Sequence, residues 1–188
     1  MASTAGAPVR RSAVFLDRDG TIIEDVGFIG SPDAVRLIPG AAEAIRRLTE
    51  AGHLAIIATN QSGIARGKFT EADYRAVNRQ TLALLAAGGA TIEADYFCPH
   101  LPDISGPCEC RKPGTLLYRQ AAERFGIDFR HSWWVGDRLR DIEPARALGG
   151  RGILVETGLG LSARDAARAA GFPVTRDITA AAMLVVGT

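Results

Sequence analysis

Apolar positions along this chain fall into short unbroken runs separated by amphipathic stretches. Ala13-Val14-Phe15-Leu16 is the first run, and four consecutive apolar residues with aromatic and β-branched members predict a buried strand. The same pattern predicts strands over 54–58, 92–97, 132–135 and 152–155. Between them the spacing turns helical. Residues 41–51 follow Pro39-Gly40, place Ala41, Ala44, Ile45 and Leu48 on one face, and stop at Gly52. Further helices are predicted over 71–87, 116–125, 141–148, 163–170 and 178–186, with Pro144 accommodated in a first turn. Strands that are apolar along their whole length and alternate with helices define the α/β class: a doubly wound, Rossmann-like parallel sheet covered on both faces.

Nothing in the pattern divides the chain, and it holds no internal repeat. One domain over 13–188 is therefore expected, after a disordered tail over 1–12 that lacks the apolar segment of a signal peptide. A chain of 188 residues can bury one full core. Its formal net charge of +1 gives no electrostatic case for nucleic acid or an anionic membrane, and no apolar run approaches the length of a membrane span. The expectation is a cytoplasmic monomer.

Two rarities change the picture. Lysine occurs only at Lys68 and Lys112 in a chain that otherwise uses arginine, so each ammonium stands where a guanidinium was not used. The cysteines, Cys98, Cys108 and Cys110, lie close together with His100. An odd count argues against a disulfide framework. Three thiolates and an imidazole form a complete tetrahedral set for Zn²⁺, structural because no position is left for water. Buried free cysteines also serve as small hydrophobes. Here Pro99, Pro102, Asp103, Gly106 and Pro107 offer little to pack against, and a loop with so little core needs another organiser.

The remaining chemistry sits at strand ends, where parallel sheets place their ligands. Asp17 and Asp19 follow the first run, Thr59 ends the second, Lys112 follows the cysteine loop, and Asp137 and Asp141 follow Gly136. Two carboxylates as close as Asp17 and Asp19 repel each other and favour a bound cation. Taken singly, these residues read as turn acids, a helix cap and a surface lysine. Together they are an inventory for phosphoryl transfer: a carboxylate nucleophile, a second carboxylic acid, a hydroxyl and an ammonium for phosphate oxygens, and acids for Mg²⁺.

The motifs Asp17-x-Asp19-Gly20-Thr21, Thr59, Lys112-Pro113 and Gly136-Asp137-x-x-x-Asp141 resemble those of the haloacid-dehalogenase (HAD) superfamily of phosphatases. The resemblance implies that Asp17 attacks phosphorus and Asp19 serves as acid and base. It also implies that Asp17, Asp137 and the main chain of Asp19 hold Mg²⁺, with Asp141 orienting that shell, and that Thr59 and Lys112 neutralise phosphate oxygens. With the zinc loop of Cys98, His100, Cys108 and Cys110, the chain is similar to one subgroup: the heptose 1,7-bisphosphate 7-phosphatases and the histidinol-phosphate phosphatase domains. Residues 59–67 and 25–28 look like the heptose enzymes, which implies a phosphorylated-sugar substrate. The implied contacts are Asp25, Val26, Gly27, Phe28, Asn60, Gln61, Ser62, Arg111 and Arg138. The alternative is the same chemistry on histidinol phosphate or another small phosphosugar. Between Thr21 and Thr59 there is room for a loop and one helix–strand unit, so no large cap domain is expected.

Overall fold

The computed structural model describes residues 11–187. The expected tail lies outside the described residues up to position 10. Arg11 and Ser12 are tied to the domain, the Arg11 N–H donating to the Gly126 carbonyl at 3.1 Å and the Ser12 hydroxyl pairing with His53 Nδ1 at 2.9 Å.

Six strands form one sheet in the order β3-β2-β1-β4-β5-β6, every pair parallel: β1 (Ala13–Leu16), β2 (Leu54–Asn60), β3 (Ala94–Cys98), β4 (Trp133–Gly136), β5 (Arg151–Val155) and β6 (Val174–Thr175). Successive strand residues face opposite sides, so β1 serves two cores. Val14 and Leu16 pack with Ile45 and Leu48 of α1 (Ala41–Glu50), Val77 and Leu85 of α2 (Glu71–Ala87), and Val185 near the C-terminus. Ala13 and Phe15 pack on the other side with Trp134 and Tyr118. Phe15 meets Tyr118 edge-on at 5.0 Å and Trp134 at 4.8 Å between ring centroids, an arrangement that adds to simple area burial.

The other helices are α3 (Pro102–Ser105), α4 (Leu116–Phe125), α5 (Leu139–Ile142), α6 (Pro144–Leu148), α7 (Gly160–Ala169) and α8 (Ile178–Val186). Among the described residues no helix is long and apolar enough to cross a membrane. Between β1 and β2 lie only a 3₁₀ turn (Pro32–Ala34) and α1, so no cap domain covers the strand ends.

The helix expected over 141–148 is two helices. Pro144 has no N–H to donate back into the preceding turn, so α5 ends on the Glu143 N–H donating to the Leu139 carbonyl, and Pro144 begins α6. The third strand begins at Ala94 rather than 92, and the helix expected from 163 starts at Gly160. The two-residue β6 and the short α3 in the cysteine loop carry too little periodicity to be read from the sequence.

The chain runs outward from β1 to β3 on one side and from β4 to β6 on the other. The crevice between β1 and β4 is therefore the topological switch point, where an open α/β sheet binds its ligand.

Candidate active site

At that crevice the Asp17 N–H donates to the Val135 carbonyl at 2.9 Å, which fixes the first residue beyond β1 against β4. The chain then turns sharply, with the Arg18 carbonyl accepting from the N–H groups of Thr21, Ile22 and Ile23 and with Gly20 at φ +86°. This turn ends the strand and leaves Asp17 and Asp19 both lining the cleft at the sheet's edge. Asp137 follows β4 and is wholly buried.

Lys112 enters from its loop and is held at both ends. Its backbone N–H donates to Asn60 Oδ1 at 3.0 Å, and its carbonyl accepts from Asn60 Nδ2 at 3.1 Å. Its ammonium lies 2.6 Å from Asp17 Oδ1 and 2.7 Å from Asp141 Oδ1. Burial alone would favour the neutral amine, but the carboxylates of Asp141 and Asp17 outweigh it and raise the pKa of Lys112. The second oxygen of Asp141 accepts from the Arg138 backbone N–H at 3.0 Å and caps α5. Thr59 is buried, and its hydroxyl accepts from Gln61 Nε2 at 2.9 Å. The same Gln61 nitrogen donates to Asp19 Oδ2 at 2.7 Å.

Ligand oxygens of Asp17, Asp137 and Asp141 all lie within 4.8 Å of one another. Asp137 Oδ2 accepts the Leu159 N–H at 2.8 Å, whereas its buried Oδ1 has no hydrogen-bond partner. Burial, followed by the charge of Asp17, pushes the pKa of Asp137 up to about 7 despite the Leu159 N–H. A crowded set of hard oxygen donors with one lone pair unserved fits a divalent cation such as Mg²⁺.

The sulfurs and imidazole form a second cluster. Cys98 and Cys108 Sγ are 3.7 Å apart, Cys108 and Cys110 3.6 Å, and Cys98 and Cys110 2.9 Å. His100 Nδ1 lies 3.2 Å from Cys110 and 3.7 Å from Cys98. All three cysteines are free. A tetrahedral site with Zn–S bonds of about 2.3 Å has edges of roughly 3.8 Å. The Cys98–Cys108 and Cys108–Cys110 separations match such edges, the Cys98–Cys110 pair is closer, and the four donors together are a set that could hold a metal ion. The cluster is joined to the cleft through Arg111, whose Nη1 donates to the His100 carbonyl at 3.1 Å.

A cleft of about 500 Å³ opens over the strand ends. Of the expected substrate contacts, Asp25, Gly27, Phe28, Asn60, Gln61, Ser62, Arg111 and Arg138 line it, and Val26 does not. Asp25 Oδ1 accepts the Gly27 N–H at 2.9 Å, and its Oδ2 meets the Arg138 guanidinium at 3.3 Å, so the loop is pinned across the crevice. The sequence pattern did not single out Arg66, Phe69, Arg140 and Leu159, which also line the cleft. The segment after β5 was missed for a physical reason: it works through its backbone. The Leu159 N–H serves Asp137, and the Thr157 hydroxyl donates to the Gly20 carbonyl at 2.6 Å. Gly158 is at φ +55°, and a Cβ there would overlap Asp137 Oδ2. A Thr-Gly following a strand end was the only available signal.

The parallel sheet and the acids at its switch point define a HAD-like hydrolase, and the profile of the HAD-hydrolase-like family matches residues 109–181. The chain belongs to the family of D-glycero-D-manno-heptose-1,7-bisphosphate 7-phosphatases. It is 43% identical over 158 residues to the D-glycero-beta-D-manno-heptose-1,7-bisphosphate 7-phosphatase of Rhodopseudomonas palustris, covering 81% of this chain and 87% of that protein. With the same enzyme of Yersinia pestis it shares 40% over 163 residues, 84% of this chain and 87% of that one. Its structure is similar to that of the D,D-heptose 1,7-bisphosphate phosphatase of Bordetella bronchiseptica complexed with magnesium and phosphate. There the TM-score is 0.84 at 38% identity, over 94% of this chain and 98% of the other.

Proposed function

We propose that the chain removes the 7-phosphate of D-glycero-D-manno-heptose 1,7-bisphosphate through an aspartyl-phosphate on Asp17. The observation that carries the chemistry is the meeting of Asp17, Lys112 and Asp137 at the switch point, with Asp19 one turn away. The heptose substrate is supported by the activity that the relatives' names give and by a polar cleft lined with Arg111, Arg138 and Arg66 over the strand ends.

In this reading an Asp17 carboxylate oxygen attacks phosphorus, the bond from phosphorus to the C7 oxygen breaks, and Asp19 gives its proton to that oxygen. A water then attacks the acyl phosphate, Asp19 takes the water's proton, and phosphate leaves with Asp17 restored. Lys112 and Thr59 hold the equatorial oxygens. Asp17, Asp137 and the main chain of Asp19 would hold Mg²⁺, which supplies charge against the repulsion between an anionic nucleophile and an anionic phosphate. Asp141 has one oxygen on Lys112 and the other on the Arg138 N–H, which supports an orienting role.

Zinc is our reading of the second cluster, held by Cys98, His100, Cys108 and Cys110 and serving to fix Arg111 and Lys112. Asp25, Gly27, Phe28, Gln61, Ser62 and Arg138 would contact the sugar, and Arg111 would take the anomeric phosphate as a bidentate fork. Asn60 acts through Lys112, and Val26 is exposed and not part of the cleft lining. Unpaired thiols fit a reducing cytoplasm, and a monomer is our reading of the assembly.

Phosphate release from both anomers of heptose 1,7-bisphosphate, from fructose 1,6-bisphosphate and from histidinol phosphate, with Mg²⁺ present, tests the reading. The heptose bisphosphate is expected to lead in kcat/KM. Preference for histidinol phosphate would overturn it.

A further inference from the structure

Arg18 lies between the two acids and is 0% exposed. Its Nη2 meets both carboxylate oxygens of Asp19 at 3.0 Å. Its Nε and Nη1 have no hydrogen-bond partner in the described structure. A guanidinium that far from water is costly unless its charge is met nearby. Asp19 meets one edge. On the face, the Arg18 Cζ stands 5.1 Å from the ring centroid of Tyr74. That ring meets Phe97 at 4.2 Å and 34°, and the Arg75 guanidinium stands over Phe97 at 5.5 Å. Burial pushes the Tyr74 phenol above its ordinary value, so the ring meets Arg18 as a neutral π face. Tyr74 itself is held by α2, which begins in a capping box between Thr70 and Asp73.

Core packing alone does not account for this arrangement. A leucine or methionine would fill much the same volume without a buried charge and two orphaned nitrogens. We infer that Arg18 is a positioning residue for Asp19, and that the Tyr74–Phe97 pair is the platform that holds it there. The inference rests on the acid–base role proposed above for Asp19. The backbone of Arg18 is fixed by the turn and its side chain by the platform, so the Asp19 carboxylate is aimed from one side by Arg18 and from the other by Gln61.

The leaving group supplies a readout that packing does not move. A sugar alkoxide must be protonated as it leaves, whereas nitrophenolate leaves without a proton. A misplaced Asp19 therefore lowers kcat/KM for a primary sugar phosphate more than for p-nitrophenyl phosphate. The experiment measures both substrates with Asp19→Asn, Tyr74→Leu, Tyr74→Phe and Arg18→Lys, at temperatures where each variant is folded by circular dichroism.

Tyr74→Leu is expected to lose on the order of tenfold more on the sugar phosphate than on the aryl phosphate, part of the 10²–10⁴-fold typical of a positioned acid. Tyr74→Phe keeps the π face and should restore the native ratio. Arg18→Lys keeps the charge but loses the planar guanidinium that lies over the Tyr74 ring, and should shift the ratio as Tyr74→Leu does. It decides the matter alone if Tyr74→Leu does not fold. Equal losses on both substrates in Tyr74→Leu and Arg18→Lys, alongside unequal losses in Asp19→Asn, would overturn the positioning role only. Equal losses in Asp19→Asn would overturn the acid role, and this inference with it.

Discussion

The side-chain amide of Asn60 closes a reciprocal pair of hydrogen bonds with the backbone of Lys112, accepting its N–H at 3.0 Å and donating to its carbonyl at 3.1 Å. The last residue of β2 thus carries the loop that delivers the ammonium, across 52 positions of sequence. Because Lys112 must then sit within 2.6–2.7 Å of two carboxylates, small errors in that loop are transmitted to the phosphate site.

Asn60→Ala leaves a backbone donor and acceptor of Lys112 unpaired, at a cost of about 1–3 kcal/mol. Turnover should fall more than stability would explain, because the mutant loop no longer aims Lys112. Urea unfolding with parallel kcat measurements checks this. An unchanged kcat in the folded variant would show that Asn60 acts on substrate or not at all.

Asp17→Asn removes the nucleophile and one of the charges that push the pKa of Asp137 up. Turnover should fall by on the order of 10⁴-fold or more. The thermal midpoint without magnesium should equal or exceed that of the native chain, since repulsion is relieved and Lys112 keeps Asp141. Residual hydrolysis near the native rate would exclude a covalent intermediate on Asp17.

How much of this was legible in the sequence depends on whether side chains or backbone carry the information. β1 and α2 were readable to the residue, because an unbroken apolar run marks the first and a helical stretch closed by Gly88-Gly89 marks the second. Asp17, Lys112 and the cysteine cluster could be singled out because their chemistry is in the residue types. Asn60 read as a substrate contact, since nothing in its type discloses a partner 52 positions away. The break at Pro144 turned on one missing donor, and the Thr157–Leu159 segment acts through backbone groups that any sequence possesses. Arg18 was hidden in plain view: a guanidinium between two acids reads as solvated, and only the fold reveals it buried.

Gly158→Ala tests the backbone contribution. The residue sits at φ +55°, and a methyl there would overlap Asp137 Oδ2 and lie 2.7 Å from Gly20 Cα. Neither neighbour can yield without disturbing the carboxylate cluster. A loss of about 1–3 kcal/mol in stability is expected, with weaker magnesium dependence of activity. Titration of activity against magnesium, alongside thermal unfolding, distinguishes the two effects. Native values for both would show that the Thr157–Leu159 segment is a passive connection.

The two metal sites should differ in behaviour. Washing with a mild chelator should stop catalysis reversibly on magnesium removal and leave stoichiometric zinc in place. Cys108→Ala opens the closed donor set, so zinc content should drop and thermal stability with it. Arg111, attached to His100 through its carbonyl, should become susceptible to proteolysis in its loop. Metal analysis of protein purified without chelators decides the first point, and absence of zinc there would remove the assignment.

Regiochemistry follows from the depth of the cleft. Asp17 lies at the floor, 8% exposed, beneath an opening lined by Arg111, Phe28 and Arg138. A phosphate on a primary carbon is slim enough to reach that floor, while a ring bearing an anomeric phosphate stays at the rim. Arg111 is partly desolvated and lines the cleft beside the cysteine loop, with Arg140 and Arg66 close enough to disfavour its charge. A cluster of guanidiniums that repel one another is relieved by an anion. The 1-phosphate is therefore the expected product. Arg111→Ala should lower kcat/KM for the bisphosphate by on the order of 10- to 100-fold, as loss of a charge-assisted bidentate contact implies. A simple monophosphate should lose far less. Phosphorus NMR of the reaction reads the order directly: loss of the anomeric signal first would reverse the substrate in the cleft while leaving the chemistry at Asp17 intact.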